Sequence, residues 1–156
     1  MGNAESDTGD FAANFEAAFA RLQVALLEAC ARERAWPRRA AAAVRAGLEL
    51  AAADHAAAQT LTSESLAHGR DGIARRERLI AYLDDLLRRG REERPDGERL
   101  PESTERALAG GVLGLVAQRV DLGRADELTG IVPEVVQFVL TPYLGGEEAR
   151  RVGSES

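Results

Sequence analysis

Lysine is absent from this 156-residue chain: all 20 of its basic residues are arginine. With abundant alanine and glycine, that usage points to codon bias in a GC-rich bacterial genome. Positive charge is also outnumbered, since 26 acidic residues leave a formal net charge of −6. Nucleic-acid affinity rests on clustered cations that displace counterions from phosphates, so no DNA-binding face is expected of this chain. Cysteine is limited to Cys30, which excludes an intramolecular disulfide and suits a reducing cytoplasm. Long apolar runs are missing as well. The longest, residues 107–117, contains three glycines and falls far short of the roughly 20 residues needed to cross a bilayer. No charged-then-apolar leader opens the chain. A cytoplasmic protein without membrane contact is therefore expected.

Aromatic residues make up only 4% of a sequence that is 45% hydrophobic, so alanine, leucine and valine must supply most of the packing. Alanine, leucine, arginine and glutamate favour helix, and the β-branched and aromatic residues that favour strands are few. The expected class is all-α, as one domain with six helices. Residues 1–9 are small, polar and aperiodic, and read as a disordered leader. Residues 10–145 hold the periodic segments, and residues 146–156 read as a flexible tail.

Phe11, Phe15, Phe19, Leu22, Leu26 and Cys30 recur every three or four residues and form one stripe of a first helix over about residues 10–34. Trp36-Pro37 breaks it and opens a second helix to about Ala53, because proline suits a helix first turn and disfavours helix in the residue before it. Asp54 is placed to cap a short third helix over about 55–62. After a polar stretch at 63–72, a fourth helix carries Leu79, Ile80, Leu83, Leu86 and Leu87. Its other side has the acid-first pairs Asp71–Arg75, Asp84–Arg88 and Asp85–Arg89. Between Arg70 and Arg99 nine arginines face eight acidic residues, the composition of a solvated helix face rather than a nucleic-acid patch. Arg94-Pro95-Asp96-Gly97 signals a turn, and Pro101 restarts helix. A fifth helix then runs to about Leu122, residues 123–130 connect, and a sixth begins near Val132-Pro133 and ends before Gly145-Gly146.

The fifth and sixth helices are apolar or small nearly all round, more than one packing face requires. Three glycines inside the fifth sacrifice about 1 kcal/mol each in helix propensity, which close approach of another backbone would offset. Such a pair suggests a homodimer in which the two helices meet a two-fold mate as a four-helix bundle, through Leu108, Gly111, Val112, Gly114, Leu115, Val135, Phe138, Val139 and Tyr143. The alternative is that both are core helices of a monomer.

Catalytic signatures are missing. Cys30 lies on an apolar stripe, where a thiol is most often an inert small hydrophobe. No phosphate-cradling glycine loop, serine elbow or zinc pattern is present. His55 and His68 stand thirteen residues apart without a supporting ligand cluster. Neither an enzyme, a cofactor nor a metal site is expected.

The segments Phe15 to Leu22 (FEAAFARL), Trp36 to Arg39 (WPRR) and Ala51 to Ala58 (AAADHAAA) resemble the opening helices of the effector-binding domain of TetR-type transcriptional regulators. Arg106 to Gly114 (RALAGGVLG) and Val139 to Gly145 (VLTPYLG) are similar to its two dimerisation helices. The resemblance extends from about Asp10 to Leu144; His55 departs from the proline common in the family at that point. It implies a six-helix domain that binds a small, hydrophobic effector and dimerises. The helix-turn-helix head of the family has no counterpart in the nine residues ahead of Asp10, so DNA would be reached only through a head outside this chain. An effector cavity would draw on Phe19, Leu22, Trp36, Leu61, His68, Tyr82 and Gln118, from elements expected to converge; most such cavities are apolar with a few polar groups. Phe19, Leu22 and Leu61 are equally ordinary core residues, and Trp36 beside Pro37 suits a packing plug. The alternative function is a dimerisation or antagonist module without a ligand.

Overall fold

In the computed structural model, which describes residues 2–94 and 99–156 and side chains from residue 7 onward, every regular element among the described residues is helical. Helix α1 (Gly2–Ala31) is followed by α2 (Trp36–Ala53) and α3 (His55–Gln59), which passes through a π turn at Thr60–Glu64 into a three-residue α4 (Ser65–Ala67). Helix α5 (Gly69–Arg88) ends in a 3-10 turn, Arg89–Glu93. Helix α6 (Thr104–Asp121) and a second 3-10 turn, Ala125–Ile131, lead to α7 (Val132–Leu144) and α8 (Gly146–Ser154). The class is all-α as expected, but the described residues form seven α-helices of five residues or more plus the short α4, rather than six.

The local causes are visible in the chain. The expected stripe of α1 is buried along its length, with Phe11, Phe15, Phe19, Leu22 and Leu26 all in the core. Pro37 stands in the first turn of α2, preceded by Ala35 in an extended conformation. Asp54 caps α3 by accepting from the Ala57 backbone N–H at 3.0 Å. That bond, reinforced by Arg21 at 2.7 Å, holds the Asp54 carboxyl below its ordinary value.

Three boundaries differ from expectation. The disordered leader is not observed, because α1 already starts at Gly2. Helix extension adds one bond per residue once a nucleus is docked, and Phe11 anchors that end by stacking on His68 at 3.9 Å. The polar stretch at 63–72 is helical rather than irregular. At its start the Thr62 and Ser65 hydroxyls donate to the carbonyls of Ala58 and Thr62, both at 2.6 Å, and so satisfy backbone groups around the π turn. The flexible tail is replaced by α8. Gly145, at φ 81°, ends α7 and lets the chain reverse. Ala149 and Val152 are then buried, and Gly153 lies so near α7 that a Cβ there would sit 2.6 Å from the Pro133 carbonyl oxygen. Ala149, Val152 and Gly153 stand at i, i+3 and i+4 and form one narrow face of α8, which docks on α7. Of the expected turn at Arg94–Gly97, residues 95–97 lie outside the described residues.

Two hydrophobic clusters form the core. One joins α2, α6, α7, α8 and the second 3-10 turn around Leu48, Leu128, Val136 and Leu140. The other joins α1, α3, α5 and α6 around the phenylalanines of α1, Leu79 and Leu113. Within the first cluster lies a fully buried acid, Glu105. Arg91 donates to both its oxygens, at 2.8 and 2.7 Å, and the Tyr143 hydroxyl donates to it at 3.1 Å. Arg91 also donates to the carbonyls of Leu100 and Pro101 and so ties down the approach to α6. Burial opposes ionisation of Glu105, but the bonds from Arg91, a backbone N–H and Tyr143 outweigh it and hold the carboxyl below its ordinary value. A carboxyl lowered by folding stabilises the fold above the ordinary carboxylate range, and that contribution is lost as pH falls through its folded value. Arg91→Met should therefore cost about 3 kcal/mol at neutral pH in urea unfolding. The gap from the native chain should narrow toward about pH 4, as the stranded carboxyl takes up a proton. A gap independent of pH would contradict this account.

Candidate functional site

The seam between the two clusters is incompletely filled. A cavity of about 140 Å³ lies there, walled by α1, α2, α3, the π turn, α5, α6 and one residue of α7. Its cause is the small-residue face of α2, where Ala40, Ala43, Gly47 and Ala51 all reach the cavity. Ala57 and Ala58 of α3 add two more short side chains. Opposite stand Leu22 and Leu26 of α1, Leu83 and Leu86 of α5, and Ala109, Leu113 and Val116 of α6. Leucines from three helices meeting alanines leave space that neither cluster fills.

The wall is almost entirely hydrocarbon. Its polar residues are Cys30, Arg39 and Thr62. Cys30 Sγ donates to the Arg39 carbonyl at 3.6 Å, and burial pushes its thiol above the ordinary value despite Arg39 and Arg89 nearby. Such a thiol stays protonated and is a poor nucleophile. Thr62 donates to Ala58 as part of the π turn. Arg39 Nε donates to the Glu33 carbonyl at 3.2 Å, and its Nη2 to that of Arg34, so the guanidinium meets the carbonyls that follow α1.

Of the residues expected to form an effector site, Leu22 and Leu61 reach the cavity wall. The others are placed elsewhere. Phe19 and Tyr82 pack edge to face at 5.7 Å, and Arg78 lies over the Phe19 ring. Tyr82 Oη is shut off from solvent with no hydrogen-bond partner among the described residues. His68 stacks on Phe11 and its Nδ1 sits 2.9 Å from the Glu64 carbonyl. Trp36 meets Tyr143 at 4.9 Å and covers Gly90, where a Cβ would come within 2.3 Å of its ring. Gln118 is exposed on α6. The residues sequence reasoning overlooked are the alanines and Gly47. Their signal was the alanine richness of the second and third helices, which marks a face too small to fill a core.

The residues expected at a subunit interface divide into two groups. Leu108, Val135, Val139 and Tyr143 are buried within the chain, and Val112 and Leu115 pack partly against the first cluster. Gly111 and Gly114 are exposed, and so is Phe138, at 49%. The Phe138 ring lies over Gly111, 3.3 Å from where a Cβ would stand, whereas nothing lies within 4 Å of Gly114. Much of the apolar surplus of α7 that suggested a mate is covered by α8 of the same chain.

No group of three or more His, Cys, Asp or Glu among the described residues could hold a metal ion, and no helix among them is long and apolar enough to cross a membrane. The division of α6 and α7 has a measurable consequence. Leu108→Ala should cost about 2 to 5 kcal/mol in denaturant unfolding, while Phe138→Ala should cost about 1 kcal/mol or less. Equal costs would mean that Phe138 belongs to the core. Neither a family model, nor a curated protein, nor a solved structure matches this chain.

Proposed function

We propose that this chain is a ligand-sensing and self-associating domain, of the kind that forms the effector-binding half of TetR-type regulators. The observation that carries the reading is the two-sidedness of α6. Ala109, Leu113 and Val116 line the cavity, and about 180° around the helix, at 100° per residue, stand the exposed Gly111, Gly114 and Gln118. A molecule that binds one placement of α6 better than another shifts the chain toward that placement, and the outer face moves with it. That outer face, with Phe138 of α7, is where a second copy of the chain would pack, backbone close to backbone over the glycines. DNA would be affected only through a reader head on the same polypeptide or a partner, consistent with the net charge of −6. No catalytic role is proposed, since Cys30, the one thiol at the cavity, is held protonated by burial.

A second reading, a dimerisation or antagonist module without an effector, is favoured by one observation. The cavity, at about 140 Å³, is below the roughly 300 Å³ at which typical ligand pockets begin.

Two measurements separate these readings. Light scattering should give twice the chain mass for the native protein and the chain mass for Gly114→Leu. A Cβ at Gly114 meets nothing within 4 Å in the chain itself, so a dimer that survives the substitution rules out this face. A thermal-shift screen of small apolar compounds should find one that raises the melting temperature by about 5 to 10 °C at a hundred times its Kd. A chain that dimerises through α6 and responds to none of them is the module without an effector.

A further inference from the structure

Resting on the cavity as the effector site, the structure assigns its occupant to a chemical class: we propose an uncharged, compact hydrocarbon of benzene or toluene size, with carboxylate and ammonium homologues excluded. Size is the first ground. A protein cavity of about 150 Å³ walled by aliphatic and aromatic side chains stays dry and takes up benzene, and the cavity here is about 140 Å³. The pocket is partly open to solvent, so this size limit applies to a guest seated wholly inside it.

Polarity is the second ground. A polar group moved from water into such a space needs a partner, and an unpaired charge far more so. Of the three polar residues on the wall, Cys30 and Thr62 direct their donors to main-chain carbonyls, and Arg39 directs Nε and Nη2 to carbonyls just after α1. The wall contains no carboxylate, so an ammonium group has no counter-ion. The buried hydroxyl without a partner, Tyr82 Oη, is not on the wall and offers a guest no handle. Arg39 is the single cation at the wall, which makes a carboxylate the most demanding competitor.

The test is a titration of the full chain, labelled at leucine and valine methyl groups, with toluene, benzylamine and benzoate, followed by NMR. Toluene should shift the methyls of Leu22, Leu26, Leu113 and Val116 along a saturable curve and leave those of the exposed Val24 and Leu27 in place. Benzylamine and benzoate should bind at least about tenfold more weakly at the same methyls. Gly47→Leu should abolish the toluene response: a Cβ at Gly47 meets only Leu26 Cδ2, at 3.9 Å, so the longer side chain can enter the cavity. Ala43→Leu, from the same wall, provides an independent block if the first variant does not fold. Benzoate or benzylamine binding these methyls as tightly as toluene overturns the assigned class and leaves the cavity as the site. If no probe moves these methyls, or if toluene moves them equally in a folded blocked variant, the cavity itself is overturned as the site.

Discussion

Helix α2 sets the terms on which the rest of the chain packs, because Ala40, Ala41, Ala43, Gly47 and Ala51 leave much of its inward surface with almost no side chain between the larger Trp36, Val44 and Leu48. It touches α1, α3, α6, α7, α8 and both 3-10 turns, and several of these contacts are made across alanine. Small side chains let helices approach closely, which brings two separate hydrophobic clusters to either side of one helix. They also leave too little volume to fill the seam between those clusters. Dense packing is the rule in protein interiors, and an empty space of this size forfeits dispersion contacts along its whole lining. The cavity and the close approach therefore have the same origin.

Around that central helix the remaining elements divide the work of holding position. Helix α1 and the π turn close one side of the cavity, and the π turn's own carbonyls are met by Thr62 and Ser65. On the other side the Glu105 carboxylate joins Arg91 and Tyr143, and with them the 3-10 turn after α5, the start of α6 and the end of α7. A buried, paired charge of this kind contributes little net stability compared with an apolar replacement, yet is costly to break on one side. The start of α6 is thus anchored at Glu105, while one face of its middle borders a cavity and the opposite face borders solvent.

Part of this was legible in the chain. The phenylalanine stripe of α1, the proline at the start of α2, the aspartate cap of α3 and the glycine that ends α7 are local signals, and each marks its element, though the start of α1 lies eight residues before the expected one. The surplus of apolar residues on α7 was legible too, but not its cover. Ala149, Val152 and Gly153 have helical spacing, but the segment is short and mostly charged, and what they cover on α7 is settled only by packing. The candidate site was legible only at Leu22 and Leu61. Sequence reasoning looked for aromatic and polar residues, as most cavities display them, whereas this one is defined by what its alanines do not occupy.

Composition and periodicity by themselves determined the all-helical class and the buried stripes of α1 and α5, because those properties follow from residue propensity and from neighbours three and four residues apart. Tertiary structure alone decided where Phe138 and Tyr143 part company, one exposed at 49% and the other buried at 1% although both lie on α7. It also decided that Glu105 lies in the core and that α8 covers α7. Each of these depends on which element arrives from a distant part of the chain, and residue spacing along a helix contains no record of that arrival.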